Sequence, residues 1–208
     1  MKHILLGAAS ALVLMGAGAF AASVDQPGHR SPEPGTNSET MSAIKDSTAG
    51  MVGQVSAKMT RTTSGFVDAA AVSDMYEVAA GKIAEQRAQS PDVREFAEKM
   101  VKAHTETTDK LKSILASNNV NVTPPSSVDD RRQGMLDDLR GAKAQDFDHR
   151  YITQQIAAHK EADSLMRGYA HDGDNPAIKD FAATTDQAVK MHLAMAQKLD
   201  AGVKNASN

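Results

Sequence analysis

Two similar eight-residue segments decide the fold: SPDVREFA at residues 90–97 and NPAIKDFA at residues 175–182. Each places a capping residue before a proline and then continues with apolar residues at helical spacing. A proline suits the first turn of a helix, where its missing N–H costs no hydrogen bond. Each segment therefore predicts a turn followed by a new helix, and their similarity indicates an internal duplication.

Apolar stripes on both sides of these turns predict an all-helical domain. Helical periodicity gives four long helices and one short amphipathic piece, over about 64–88, 91–118, 126–140, 143–171 and 176–202. Tight turns join the long helices within each pair, whereas about 25 residues separate the two pairs. Because ferritin-like bundles connect two hairpins by one long crossover, the sequence predicts an all-α, ferritin-like four-helix bundle over residues 64–203.

The first 21 residues have the pattern of a secretory signal peptide. Lys2 precedes an uncharged apolar stretch, and Ala19-Phe20-Ala21 forms an A-x-A cleavage site. An uncleaved membrane anchor is the alternative, but the stretch is shorter than the roughly 20 apolar residues of a spanning helix. We expect cleavage after about Ala21 and a periplasmic or secreted protein with no further transmembrane segment.

Residues 22–63 differ in composition from the predicted bundle. They contain Pro27, Pro32 and Pro34, many Ser, Thr, Gly and Ala residues, and no aromatic residue. This composition predicts a flexible linker or a marginal helix. It is also the only basis for an adaptor role with an envelope partner, and a homo-oligomer is equally open. The net charge of −3 at pH 7 gives no reason to expect nucleic-acid binding.

Each long helix places one candidate metal ligand on its apolar stripe: Glu77, His104, His159 and His192. The first two lie 14 residues before and 13 after Pro91, and the last two lie 17 before and 16 after Pro176. Partners in each antiparallel hairpin therefore meet at one level. At about 1.5 Å per residue, the levels of the two hairpins differ by about one helical turn. The sequence thus predicts a Glu-His-His-His cluster in the bundle core.

Imidazole nitrogens with one carboxylate suit one transition-metal ion, which would be iron, manganese, zinc or copper. The Glu-x-x-His pattern of di-iron bundles is absent, because Val101 and Val189 stand three residues before the histidines of their helices. A single-metal or degenerate site is therefore expected rather than a two-metal one. The absence of cysteine excludes thiolate ligands and disulfides.

A hydrogen-bonded structural cluster is the alternative interpretation of the same four residues. Its partners would be Thr107, Thr185, Gln155 and Tyr151. The segment Met191-His192-x-x-Met195 adds soft ligands that suit copper(I), although core packing explains Met195 equally well.

Short motifs within these helices resemble those of a bacterial exported family. They are Phe96-Ala97 followed by His104, Phe147-Asp148-x-x-Tyr151 leading to His159, and Phe181-Ala182 followed by His192. On these motifs, the run from Phe66 to Leu199 is similar to the domain of unknown function 4142, whose members are ferritin-like and often labelled outer membrane proteins. The resemblance implies a fold and an exported location, but no activity.

Two functions stay open on the sequence alone. The first is an exported helical-bundle protein that binds a metal ion in its core through the Glu/His cluster. The second is a structural or stress-related envelope protein whose buried polar cluster only specifies packing. No Ser-His-Asp order, phosphate-binding loop or nucleotide fingerprint is present, so the sequence assigns no reaction.

Overall fold

The computed structural model describes residues 60–206, with side chains to residue 203. This range contains no strand and five helices: α1 (Thr63–Arg87), α2 (Pro91–Ser117), α3 (Asp130–Gly141), α4 (Ala144–Asp172) and α5 (Pro176–Ala206). The all-α prediction is confirmed, with helix limits that differ from the predicted ones by a few residues. The predicted signal peptide over 1–21, and all but the last four residues of the predicted linker over 22–63, lie outside the described residues.

The four long helices form a ring in the order α1, α2, α5, α4. Near the start of α1, Thr63 Oγ1 lies 2.8 Å from the Tyr169 hydroxyl at the end of α4. Just after α1, the backbone N–H of Gln89 donates to Asp148 near the start of α4. Helices α1 and α4 are therefore antiparallel, and α2 runs parallel to α4. Because two parallel helices are joined, the α2–α4 connection travels the length of the bundle, as the predicted crossover requires.

The crossover carries α3, which packs against α1 and α4. Arg87, the last residue of α1, donates from its guanidinium to three carbonyl oxygens at the end of α3, those of Leu139, Arg140 and Ala142. On the other side, Arg132 Nη2 lies 2.7 Å from Glu161 Oε1 of α4. These charged contacts fix the crossover against the bundle.

The two proline-led turns are capped in different ways. Asn175 Oδ1 accepts from the N–H of Ile178 at 3.2 Å, as expected of a side-chain cap. Ser90 also occupies the N-cap position, but its side chain makes no capping hydrogen bond. Instead, the carboxylate of Asp148 accepts from the N–H groups of Gln89 and Ser90, at 2.9 and 2.7 Å. The α1–α2 turn is thus held by a residue of α4.

Helices α1 and α2 approach each other closely at Gly81. A Cβ atom at this position would lie 2.6 Å from Val101 Cγ2 and 3.1 Å from the carbonyl oxygen of Ala97. Real Cβ atoms essentially never show the shorter of these distances. Glycine is therefore required for the spacing of α1 and α2, one turn away from Glu77.

The apolar core is divided into two clusters. One cluster includes Phe96, Met100 and Tyr151, and the other includes Leu111, Tyr169 and Phe181. Between them, every long helix contributes polar or titratable side chains at the same level of the bundle, and buried examples are Asp74, Glu77, His104, Gln155 and His159. A polar layer therefore crosses the middle of the core. No helix within residues 60–206 has the combination of length and apolar character that crossing a bilayer requires.

Candidate metal centre

Three histidines from three helices converge in the polar layer. His104 of α2, His159 of α4 and His192 of α5 each bring one ring nitrogen to within 4.8 Å of the other two. Their ring centroids are 5.6 to 5.9 Å apart. His104 and His159 are buried, whereas His192 is only partly buried. The structure therefore brings together three of the four residues that the residue counts from the two prolines placed at one level. We call His104, His159 and His192 the histidine trio.

Each member of the histidine trio has one buried ring nitrogen without a hydrogen-bond partner. These atoms are His104 Nε2, His159 Nε2 and His192 Nδ1. Buried polar atoms in proteins are nearly always paired, and an exception calls for a physical reason. Here three exceptions occur in one small region of the core.

Hydrogen bonds on the opposite side of the rings determine which nitrogen carries the proton. His159 Nδ1 lies 2.9 Å from the carbonyl oxygen of Gln155, which can only accept. His104 Nδ1 lies 2.7 Å from Asp74 Oδ1, and the Asp74 carboxylate also accepts from the Thr108 hydroxyl. Both Nδ1 atoms are therefore donors. In the neutral rings this leaves the lone pair on Nε2, which is the atom without a partner.

Asp74 is a site residue that the sequence analysis missed. It is buried on α1 and holds His104 through the hydrogen bond described above. A carboxylate behind a histidine fixes the orientation of the ring and raises its basicity as a metal ligand. The sequence did contain a signal, because Asp74 lies three residues before Glu77 and so shares its helix face.

Glu77, the fourth predicted ligand, lies beside the histidine trio. It is buried, and its Oε2 accepts from Gln155 Nε2 at 2.7 Å. Its Oε1 is 3.7 Å from His159 Nδ1, which is too long for a hydrogen bond. The carboxylate thus faces the proton-bearing side of His159, not the free Nε2. Glu77 therefore lies beside His159 without belonging to the group of three converging nitrogens.

Burial determines the protonation of two members of the histidine trio. Loss of solvation and the neighbouring His104 lower the pKa of His159 to about 3. Loss of solvation and the other two histidines lower the pKa of His192 to about 4. Both rings are therefore neutral at pH 7. A neutral imidazole is the form that binds a metal, so no proton has to leave these two residues first.

The pKa of the third member, His104, is shifted in the opposite direction. Burial lowers the pKa of His104, but the hydrogen bond to Asp74 and the charges of Glu77 and Asp74 outweigh that effect and raise it. Burial raises the pKa values of both carboxyl groups, although His104 partly offsets this. Within the histidine trio, His104 is thus the one ring whose protonated form is favoured by its surroundings.

The arrangement can hold a transition-metal ion. Zinc–nitrogen bonds are about 2.0–2.1 Å long, so three nitrogens around one tetrahedral ion lie about 3.3 Å apart. The three nitrogens are already within 4.8 Å of one another, so each pair would have to approach by at most about 1.5 Å to reach that distance. Three protein ligands leave the fourth position open for a water molecule or another small ligand.

A family model covers most of the chain. The family described as a domain of unknown function (DUF4142) matches residues 50–199, a range that contains α1 to α4 and most of α5. The chain belongs to this family. Its description gives no activity, and comparison with curated proteins and with solved structures gives no significant match. The DUF4142 domain of this chain therefore includes the whole polar layer with the histidine trio.

Proposed function

We propose that this protein binds one transition-metal ion in the core of its bundle, through His104, His159 and His192. Two observations support the proposal: one ring nitrogen from each of three helices lies within 4.8 Å of the other two, and each of the three rings has one buried nitrogen without a partner. Asp74 orients His104, and the backbone of α4 orients His159. A divalent ion bound there would displace any proton from His104, and the carboxylates of Asp74 and Glu77 would partly neutralise its charge.

The alternative, a polar cluster that only specifies packing, leaves a cost unexplained. A buried polar atom without a partner destabilises a protein by about 1–3 kcal/mol. Three such atoms, one in each ring of the histidine trio, make an unfavourable packing unit unless something bonds to them. A buried water molecule is the competing occupant, since such waters usually make two to four hydrogen bonds.

The ligand types narrow the choice among the four metals expected from the sequence. Imidazole suits zinc, copper and iron, whereas manganese prefers oxygen ligands such as carboxylate and water. Because all three converging atoms are imidazole nitrogens, the site favours zinc, copper or iron over manganese.

Metal analysis of the native protein tests the proposal. The protein is purified without chelator and its metal content is measured by elemental analysis, alongside His104→Ala and His171→Ala. We expect about one metal per chain in the wild type and in His171→Ala, whose histidine is exposed and outside the trio. His104→Ala should lose the metal. Equal metal content in all three proteins, or none in the wild type after reloading with zinc, copper and iron, would contradict the proposal.

We also propose that the protein is exported, on the pattern of residues 1–21. The expected mature chain begins near Ala22 and is found in the periplasm or the medium. Cell fractionation followed by N-terminal sequencing measures both. An intact N-terminus on cytoplasmic protein would contradict the proposal.

A further inference from the structure

The histidine trio reaches the surface at a pocket between α2 and α5. This pocket has a volume of about 340 Å³. Its lining residues are Lys99, Lys102, Ala103, Glu106, Met191, His192 and Met195. His192 is therefore both a wall of the pocket and a member of the trio, while the other two histidines are 6% and 1% exposed. An ion that enters by this pocket meets His192 first.

The α5 wall of the pocket carries two thioethers around His192. Met191 and Met195 are four residues apart, so they lie on the same face of the helix. Met195 packs partly against the first apolar cluster. Met191 is 58% exposed, which is unusual because the other large hydrophobic side chains among the described residues are buried or partly buried. Core packing therefore partly explains why a methionine stands at position 195, but it hardly explains the methionine at position 191.

Thioether sulfur and imidazole nitrogen together select for soft metal ions. Thioethers bind copper(I) well, whereas harder divalent ions prefer nitrogen and oxygen ligands. Two methionines and a histidine on one pocket wall thus supply a copper(I) ligand set that the histidine trio alone does not have.

The lysines that line the pocket do not make it strongly positive. Lys99 Nζ lies 2.7 Å from Glu95 Oε1, and Lys102 Nζ lies 4.0 Å from Glu106 Oε1. Each of these two lysines, which line the α2 side of the pocket, is thus paired with a carboxylate of the same helix. A monovalent cation meets little net repulsion at the entrance.

We propose that Met191, Met195 and His192 form an entry site that takes up copper(I) and passes it to the histidine trio. This inference rests on the proposed function, which is metal binding by the histidine trio, and it specifies which metal the pocket selects. The transfer is an exchange of ligands: copper leaves the two sulfurs as it gains His104 and His159. Its oxidation state does not change, so no electron donor or acceptor is needed.

Anaerobic loading kinetics test the entry site. Metal-free wild type is mixed with copper(I) and, separately, with cobalt(II), and uptake is followed against a coloured chelator for copper(I) and by visible absorption for cobalt(II). The test variant is Met191→Leu/Met195→Leu, which conserves side-chain volume. The control is Met166→Leu, a buried methionine of the second apolar cluster. We expect the double variant to load copper(I) about tenfold more slowly. This is the lower end of the effect that groups surrounding a metal site usually have. Its cobalt(II) uptake should be unchanged.

A second arm separates this inference from the proposed function. His104→Ala removes the metal site of the histidine trio but keeps the weaker entry site. Copper(I) that is added in excess to the purified, metal-free variant should therefore show copper–sulfur scattering in X-ray absorption. Adding the two methionine substitutions should remove that signal. Wild-type copper(I) uptake that is unaffected by the double variant, or the absence of copper–sulfur scattering in His104→Ala, overturns the entry site even if the trio binds metal. Cobalt(II) and zinc(II) that bind wild type and His104→Ala equally would overturn the proposed function instead.

Discussion

Asp74 Oδ1 lies 2.7 Å from His104 Nδ1, and both residues are buried where α1 faces α2. This contact sets the direction in which His104 presents its free Nε2. It also places a carboxylate on the far side of a proposed ligand ring, where it would raise the basicity of that ring without contacting the metal itself. The geometry of the histidine trio therefore depends on α1, a helix that contributes none of its three nitrogens.

Asp74→Asn should weaken metal binding while leaving the fold intact. The amide oxygen can still accept from His104, but the negative charge that increases the basicity of the ring is lost. We expect the metal affinity to fall by about 10–100-fold, as is usual for partners of this kind. Competition titration with a chelator measures it. Asp68→Asn, an exposed residue on the same helix, is the matched control, and an equal effect in both variants would argue against a specific role for Asp74.

The metal-free protein should lose stability in acid because of His192. Its pKa is about 4 in the folded chain, against about 6.5 for an unperturbed histidine. Between these values the unfolded chain binds a proton that the folded chain does not, so stability rises with pH. The contribution is fully present above about pH 6.5 and is lost as the pH falls toward 4.

The comparison is wild type against His192→Gln, with unfolding free energies measured by denaturant titration from pH 7 to 4. Wild type should lose about 1–2 kcal/mol more than the variant over this range, after allowance for the partial exposure of His192 to solvent. Curves that remain parallel across the range would show that the pKa of this residue is not lowered.

Alanine at two glycines should have opposite effects on stability. At Gly81 the new Cβ meets Val101 and the Ala97 carbonyl oxygen, so we expect Gly81→Ala to cost about 1–3 kcal/mol by overpacking. At Gly134 in α3 the new Cβ would point into open space. Gly134→Ala should therefore stabilise by about 0.5–1 kcal/mol through helix propensity. Thermal melts compare the two, and a neutral or stabilising Gly81→Ala would contradict the close approach of α1 and α2.

Asp148→Ala should destabilise the bundle more than Ser90→Ala. The carboxylate of Asp148 accepts two backbone N–H groups at the α1–α2 turn, whereas the Ser90 side chain makes no capping bond. Loss of a cap costs about 0.5–2 kcal/mol. We expect Asp148→Ala to reach the upper part of this range and Ser90→Ala to stay below about 0.5 kcal/mol. A reversed order in denaturant unfolding would show that serine is the real cap.

The sequence predicted the bundle because its strongest signals are local. The prolines at 91 and 176 mark where helices begin, and the stripe period marks which faces are buried. The crossover followed from the length of the connection between the two hairpins. Counting residues from each proline placed His104 and His192 at the correct level, because the rise per residue of a helix is fixed.

Side-chain direction within the polar layer could not be predicted in the same way. Both Asp74 and Glu77 lie on the inner face of α1, and which of them meets His104 depends on the rotation of α1 against α2. The close packing at Gly81 limits that rotation, and it is a tertiary contact. The free nitrogen of each ring likewise depends on partners such as the Gln155 carbonyl oxygen. The sequence therefore placed Glu77 among the ligands and missed Asp74.

The most direct test of the histidine trio is a crystal structure of metal-loaded protein, with anomalous diffraction recorded at the absorption edge of the bound metal. We predict one anomalous peak, about 2.0–2.1 Å from His104 Nε2, His159 Nε2 and His192 Nδ1. Water or an added small ligand should fill the fourth position. A map from fully loaded protein with no peak between the three rings would contradict the account.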